Sequence, residues 1–386
     1  MKAVILAAGK ATRMGKLCET VHKCMLPVGG KSLLEWNMER VFDVVDEYFI
    51  IIGYRKEDIK NYFGNEFRGK KINYIIQTDQ KGTGHALLQV GRIDEKFIVL
   101  MGDDWYPKIE LPKSLAIFGQ RVEASEKFGV LEIEDGKLMG ITEKPTGRKN
   151  ELVNIGFYVL DGRVFDELHD LQKSPRGELE LTDAVLSLAL KADLEVVEIE
   201  GWEGIAYPWE LLKVNKIALY ETVDGVNGII EEGVVIKGDV ALGKDSVILS
   251  GTYIEGPVFI GKNCKIGPNA YLRAGAFIGD NCHIGSSEIK NSIIMDNTNV
   301  PHLSYVGDSV IGRKCNLGAG TMIANLRFDG GNVKSMAKER IDTGLRKFGV
   351  VMCDNVKTGV NVSIMPGVVV SNGKQIMAGE VVSRDL

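Results

Sequence analysis

Residues 258–285 read VFIGKNCKIGPNAYLRAGAFIGDNCHIG, which places Ile260, Ile266, Leu272, Ile278 and Ile284 six positions apart. A helix repeats every 3.6 residues and a strand every two, so neither puts one aliphatic in six on a single face. The same phase runs upstream through Ile254, Ile248, Leu242 and Ile236. It returns in Ile311, Leu317 and Ile323 and again in Val350, Val356, Val362 and Val368, with an interruption expected from Lys290 to Ser304. Such hexapeptide repeats specify a left-handed parallel β-helix from about Gly228 onward, each stretch forming one flat side and each aliphatic pointing inward. Its coils stack about 4.8 Å apart. Gly243, Gly261, Gly267, Gly279, Gly285, Gly312 and Gly318 follow inward residues, at corners where positive φ or close backbone approach is needed. Cys264, Cys282 and Cys315 stand two residues before inward aliphatics, where a small half-buried side chain suits the coil. No C-x-x-C pair occurs among the six cysteines, so they read as structural.

With 386 residues the chain has room for two full cores, and the coil accounts for the excess of glycine, 45 in all. A net charge of -5 argues against a nucleic-acid partner. No apolar run approaches the roughly 20 residues that cross a bilayer, and Met1 leads straight into a strand-like stretch. A cytoplasmic protein with no membrane partner is therefore expected.

Ahead of the coil, apolar runs alternate with helical spacing. Ala3–Ala7, Tyr48–Ile52, Ile72–Ile76 and Phe97–Met101 read as buried parallel strands, and Ser32–Val44, Asp58–Phe63 and Gly84–Gly91 as helices, with Ser32 as a cap. This is a Rossmann-like, doubly wound α/β domain. Its ligands belong at the carboxyl ends of the strands, where Gly9, Gly53, Gly82 and Gly102 fall. A linker helix near residues 208–221 and the turn signals Asp224-Gly225 and Asn227-Gly228 set the expected border, giving domains 1–227 and 228–386.

The first strand runs into Gly9-Lys10-Ala11-Thr12-Arg13-Met14, a loop that offers backbone N–H groups and a forked cation to phosphate. Lys23 follows in Val21 to Val28, then Gln77 to Ala86, then Gly102-Asp103-Asp104, Glu143-Lys144-Pro145 and Asn154 to Tyr158. In order and spacing these segments resemble the sugar-1-phosphate nucleotidyltransferase family. Joined to a hexapeptide coil, they have the layout of the bifunctional GlmU-type enzymes, especially the archaeal form. The resemblance implies a phosphate loop at Gly9 to Arg13 and a phosphate-binding Lys23. It implies Gln77 pairing with uracil or thymine, Gly82 and Thr83 lining the base pocket, Asp103 holding Mg²⁺, and Glu143, Lys144 and Asn154 contacting sugar and phosphate. The sequence departs from the family at Ala11, where a glycine is usual, and at His22 and Cys24, where prolines flank the lysine. It departs again at Gly204, in the place of a second metal-binding aspartate.

Within the coil, Val300-Pro301-His302-Leu303-Ser304-Tyr305, Asn316-Leu317-Gly318-Ala319 and Ala324-Asn325 resemble the acetyltransferase half of the same enzymes, with offsets of 3, 14 and 23 residues from His302 to Tyr305, Asn316 and Asn325. The resemblance implies His302 as general base, and Arg273 and Lys290 as sugar-phosphate ligands. Histidine suits removal of a proton from a glucosamine ammonium near neutrality. The oxyanion formed on a thioester carbonyl needs donors, for which the N–H near Ala319 and the Asn325 amide are both candidates. His283, at an ordinary repeat position, reads as structural. Lys334, Lys338, Arg340, Arg346 and Lys347 gather where the phase is lost, in a loop that either binds acetyl-CoA phosphates or is a solvated excursion. A homotrimer is implied by the resemblance alone.

The expected function is synthesis of UDP-N-acetylglucosamine from glucosamine-1-phosphate, acetyl-CoA and UTP with Mg²⁺. Left open are an acetyltransferase with a degenerate first domain, thymidylyl or uridylyl transfer to glucose-1-phosphate with dTTP or UTP, and a non-catalytic sugar-nucleotide sensor.

Overall fold

The computed structural model describes residues 1–143, 145–147, 149–174, 177–222 and 225–386; Lys144, expected to contact substrate, lies outside the described residues. The chain forms two compact units, Met1–Lys10 with Leu33–Gly204, and Ala11–Ser32 with Ile205–Leu386.

In the first unit, β1 (Lys2–Ala7), β2 (Glu47–Ile52), β3 (Glu66–Phe67), β4 (Lys70–Ile76), β5 (Phe97–Met101), β6 (Leu115–Val122), β7 (Gly129–Glu134), β8 (Lys137–Glu143), β9 (Glu151–Leu160) and β10 (Leu194–Glu198) share one sheet. Their order is β3-β4-β2-β1-β5-β9-β6-β10-β8-β7. The quartet β4-β2-β1-β5 is parallel, and in the apolar runs of β1, β2 and β5 the residues Val4, Ile5, Ile50, Ile51 and Val99 are fully buried. Beyond it β9 runs antiparallel to both β5 and β6. The helices α1 (Leu33–Arg40), α2 (Lys56–Phe63) and α3 (Thr83–Leu88) match three expected ones; α1 is shorter at both ends, α2 starts two residues earlier, and α3 starts one residue earlier and ends three earlier. Ser32 ends a two-residue strand paired with Pro27–Val28 and directly precedes α1. The strand ends are stitched together, Gly102 N–H to the Leu6 carbonyl (2.9 Å), Tyr54 N–H to Ala8 (3.3 Å) and Gln77 N–H to Ile52 (2.9 Å). That seam gathers the expected ligand-binding glycines.

The second unit carries the parallel coil. Ile236, Ile254 and Leu272 form one column of ladder partners, Leu242, Ile260 and Ile278 a second, and Ile248, Ile266 and Ile284 a third. The expected interruption after Lys290 is a change of period, and the core continues through it. Leu272 stacks on Ile289, Ile278 on Ile294, Ile284 on Val300 and Ile289 on Val306, all fully buried. Some sides there hold five residues in place of six. A second correction concerns the last coils, where Ile311 stacks on Met352 and then Val370, and Ile323 on Ile364 and then Val382. Val350, Val356, Val362 and Val368 stand two residues earlier, in a second buried column filled upstream by Cys264, Ala270, Ala276 and Cys282.

That second column explains Cys264, Cys282 and Cys315. All six cysteines are free and buried, and the Cys264 and Cys315 thiols donate to the Gly279 and Cys353 carbonyls at 3.0 and 3.1 Å. Of the seven corner glycines only Gly267 has positive φ (+92°), because Asn263, Asn281, Asn297 and Asn355 take the left-handed corner positions. Close approach requires the others: a Cβ on Gly285 would lie 1.8 Å from the Pro301 carbonyl oxygen.

The border expected at 227/228 falls inside the second unit. Asn215, fully buried on the helix Glu210–Glu221, accepts from Gly29 N–H (3.0 Å) and donates to the Gly275 carbonyl (3.0 Å). The Phe259 ring fills the space beside Gly30, and Arg313 donates to the Thr20 carbonyl at 2.9 Å. These long-range contacts hold both the helix and segment 11–32 against the coil.

Candidate active sites

In the first unit, β4 delivers Gln77 to the sheet's carboxyl edge. It is 5% exposed, and its amide nitrogen lies 3.2 Å from the Gly82 carbonyl and 3.0 Å from His85 Nδ1. Gly82 has φ +105°, and a Cβ there would meet the Leu179 carbonyl at 2.3 Å, so this turn excludes any side chain. Thr83 opens α3 and its hydroxyl accepts from Leu181 N–H (3.1 Å). Across β9, Asn154 donates to the Tyr158 hydroxyl (2.7 Å) and accepts from Gly156 N–H (3.0 Å), which fixes its amide. Glu143 ends β8 and is exposed. Asp103 follows β5 and is part-exposed, and Asn37 donates to the flanking Met101 and Asp104 carbonyls at 3.1 and 2.9 Å.

Glu203 lies alongside that strand end. Its N–H and carbonyl both bond to Trp105 at 3.0 Å, two residues beyond Asp103. Gly204 has little room for a side chain, because a Cβ would lie 3.0 Å from the Trp202 ring and 3.2 Å from Phe128.

Gly9 belongs to the first unit, whereas Arg13 and Lys23 belong to the second. Arg13 is exposed on the 3-10 segment Thr12–Glu19; Lys23 is 7% exposed, and His22 Nδ1 accepts from Cys24 N–H (3.1 Å), forming the turn where prolines are usual. Ala11 adopts φ +50° and ψ +43°, the left-handed conformation in which a Cβ is crowded. Ala11→Gly is expected to stabilise the protein by about 1 kcal/mol, the relief of that crowding less glycine's extra unfolded-chain entropy. A chemical-denaturation midpoint checks it; a fall in the midpoint contradicts it.

The coil brings most of the expected acetyltransferase residues onto successive turns. Arg273 and Lys290 are ladder partners, and so are Glu288 and Tyr305. Arg273 donates to Glu288 at 2.9 Å, which raises its pKa. Lys290 Nζ reaches both Asp308 oxygens at 2.8 and 3.1 Å. The Asn325 amide donates to Tyr305 Oη (3.1 Å) and Asp308 Oδ2 (2.5 Å). Both hydrogens of the Asn325 amide are thereby engaged within the site. Burial, and after it the Asp308 carboxylate, raises the Tyr305 phenol, so that group stays protonated.

His302 sits on a bulge in the strand Asn299–Gly307, between the pairs Ser286–His302 and Glu288–Tyr305. Leu303 beside it has φ +46° and is 70% exposed. The His302 carbonyl accepts from Ser304 Oγ (2.8 Å) and Gly320 N–H (3.2 Å), which fixes the backbone while the imidazole stays exposed. His283 has its pKa lowered by burial, then by Lys265 and by His302. Asn316 is exposed at a bridge to Lys357. Lys334 begins a hairpin, Lys334–Met336 with Arg340–Asp342, that the sequence showed only as lost phase. The carboxylates Glu288 and Asp308 were missed by the sequence reading. A signal was present, since one turn here takes 17 residues, which puts Asp308 next to Gly307, the ladder partner of Lys290.

Residues 2–219 match the nucleotidyl transferase family and residues 254–345 the GMPPB C-terminal domain. A bifunctional GlmU protein of Methanocaldococcus jannaschii is 42% identical over 100% of this chain and 96% of its own length. One from Methanococcus maripaludis strain C7 is 46% identical over 100% and 95%. A bifunctional sugar-1-phosphate nucleotidylyltransferase/acetyltransferase of Sulfurisphaera tokodaii is 42% identical over 100% and 98%. Among solved structures, a Bacillus anthracis protein assigned as a glucose-1-phosphate thymidylyltransferase, in complex with sucrose, is 26% identical with a TM-score of 0.51, covering 56% of this chain and 95% of its own. Matched along its whole length at such identity, this chain belongs to the bifunctional GlmU family of nucleotidyl transferases.

Proposed function

We propose that the protein makes UDP-N-acetylglucosamine in two steps: acetylation of glucosamine-1-phosphate by acetyl-CoA, then uridylyl transfer from UTP to the N-acetylated product. The end-to-end match to bifunctional relatives carries this reading. The convergence of Arg273, Lys290, Tyr305 and Asn325 on successive turns supports it locally.

In the first step His302 takes a proton from the substrate ammonium, and the freed amine attacks the thioester carbonyl. The Ala319 N–H stabilises the oxyanion, and collapse expels the CoA thiolate, which takes up the second nitrogen proton as the amide forms. Arg273 and Lys290 hold the sugar phosphate, Tyr305 and Asn316 the sugar, and Lys334 the CoA phosphates. In the second step the sugar phosphate oxygen attacks the α-phosphorus of UTP and pyrophosphate leaves. Arg13 and Lys23 neutralise the triphosphate, Gly9 offers backbone to it, and Gln77, Gly82 and Thr83 receive the uracil. Glu143, Lys144 and Asn154 orient the sugar.

Asp103 supplies a hard carboxylate oxygen of the kind Mg²⁺ prefers, and no group of three or more acidic, histidine or cysteine side chains suited to a metal occurs among the described residues. One carboxylate fits an ion that keeps several waters and is otherwise held by substrate phosphates. When bound, Mg²⁺ offsets the charge of the triphosphate.

We take domains 1–227 and 228–386 as the catalytic divisions, the coil as left-handed, the location as cytoplasmic and the assembly as a homotrimer. No helix among the described residues is long and apolar enough to cross a membrane. Leu303, Met322, Leu326 and Phe328 are exposed beside or within the acetyl-transfer segments, which supports a neighbouring coil covering them. Light scattering over a wide concentration range is expected to give a trimer, and a persistent monomer contradicts it.

The reading is tested by assaying pyrophosphate and free thiol release over UTP and dTTP with several hexose phosphates. Thiol release alone leaves an acetyltransferase with an inactive first domain. Preference for dTTP with glucose-1-phosphate selects the thymidylyl reading, and binding without turnover a sensor.

A further inference from the structure

We propose that Asp308 is the positioning residue of the acetyl-transfer site, holding Lys290 and Asn325 in the geometry that receives the sugar phosphate. The inference rests on the acetyltransferase reading above. Its side chain is 5% exposed, yet it is saturated with donors: Lys290 Nζ on both oxygens, Asn291 Nδ2 on Oδ1 at 2.8 Å, and Asn325 Nδ2 on Oδ2 at 2.5 Å. A buried carboxylate is tolerated only where such partners replace its water.

The donors come from different parts of the coil. Lys290 and Asn291 lie one turn before Asp308, and Asn325 opens the excursion that leaves the coil after Ile323. Asp308 thus ties two turns and that excursion at one point. The bond from Asn325 to Tyr305 extends the same cluster to a second site residue.

Lysine's four-carbon stem is flexible and its ammonium a point charge, so free in solvent it would have to be ordered by each substrate molecule. At 20% exposure and pinned to Asp308, that ordering is already complete in Lys290. An ammonium has three donors, and two are taken up by Asp308, leaving one for phosphate. The backbone adds a constraint. Asp308 has φ +49°, a conformation that aspartate and asparagine tolerate better than most residues.

Asp308→Asn is therefore the informative variant: it keeps shape and backbone preference, removes the charge, and sets an amide against the Lys290 and Asn325 donors. Steady-state acetylation kinetics are expected to show KM for glucosamine-1-phosphate raised about tenfold or more with kcat within about threefold. A further Lys290→Ala change should add little, because the two residues act as one unit. A loss of general stability lowers the active fraction and hence kcat, leaving KM in place, so the split separates positioning from folding. Should this variant not fold, Asp308→Glu keeps the charge but moves the carboxylate by one methylene, and the same rise in KM is expected. An unchanged KM in the folded variant overturns the proposal. Absence of acetylation by the wild-type protein overturns the acetyltransferase reading instead.

Discussion

His302→Ala is expected to lower acetylation of glucosamine-1-phosphate by roughly 10²–10⁴-fold, the span that a positioned general base contributes. The residue is well suited to isolating that chemistry. Its imidazole is exposed, and the Ser304 hydroxyl and Gly320 N–H bond to its carbonyl oxygen, which alanine retains. Folding and the neighbouring turns should therefore survive, and uridylyl transfer should stay at the wild-type rate. The measurement is thiol release with acetyl-CoA beside pyrophosphate release with UTP, on the same preparation. A deficit that narrows as pH rises would fit a lost base, since solvent increasingly supplies the free amine. Near-normal acetylation at a pH where the amine is protonated would remove His302 from this role.

Asp103→Asn is expected to remove most uridylyl transfer, by about two orders of magnitude or more, because an amide replaces the only assigned charged ligand of the metal. The wild type should need more Mg²⁺ than relatives with a second carboxylate at the Gly204 position. Restoring that group as Gly204→Asp is hindered, since its Cβ would press on Trp202 and Phe128. Glu203 is the better probe, as its backbone is bonded in both directions beside the strand end that carries Asp103. Glu203→Ala should raise the Mg²⁺ concentration needed for half-maximal pyrophosphate release. Full activity in Asp103→Asn would overturn the assignment of the metal ligand.

Much of this architecture can be read directly from the chain because its signals are local. The six-residue spacing from Ile236 to Ile284 is carried by aliphatics that are buried from Leu242 onward, and needs no partner to be recognised. The five-residue sides were hidden because Ile289 and Ile294 break the count while still pointing inward. Valines at 350 and 356 misled for the opposite reason: they are buried and six apart, but occupy the column two residues ahead of the main one. The antiparallel part of the first sheet was not legible, since β7 is buried at one end and exposed at the other, without clean alternation. In the acetyl-transfer site the residues assigned to substrate came from the family resemblance, which the offsets from His302 to Tyr305, Asn316 and Asn325 support. The carboxylates that hold the cations were overlooked, because stacking partners lie a whole turn away in sequence.

The membership of segment 11–32 has a consequence for how this protein can be taken apart or recombined. The chain passes between its compact units at Lys10/Ala11, again at Ser32/Leu33 and a third time at Gly204/Ile205, so no single cleavage point separates them. A fragment ending at residue 227 would keep Arg13 and Lys23 but lose Phe259, Gly275 and Arg313, which close around Gly30, Asn215 and Thr20. A chimaera carrying a foreign coil would face the same mismatch at those positions. Exchange of modules in this lineage therefore requires matched changes on both sides of a join that, in the linear sequence, looks like a simple fusion.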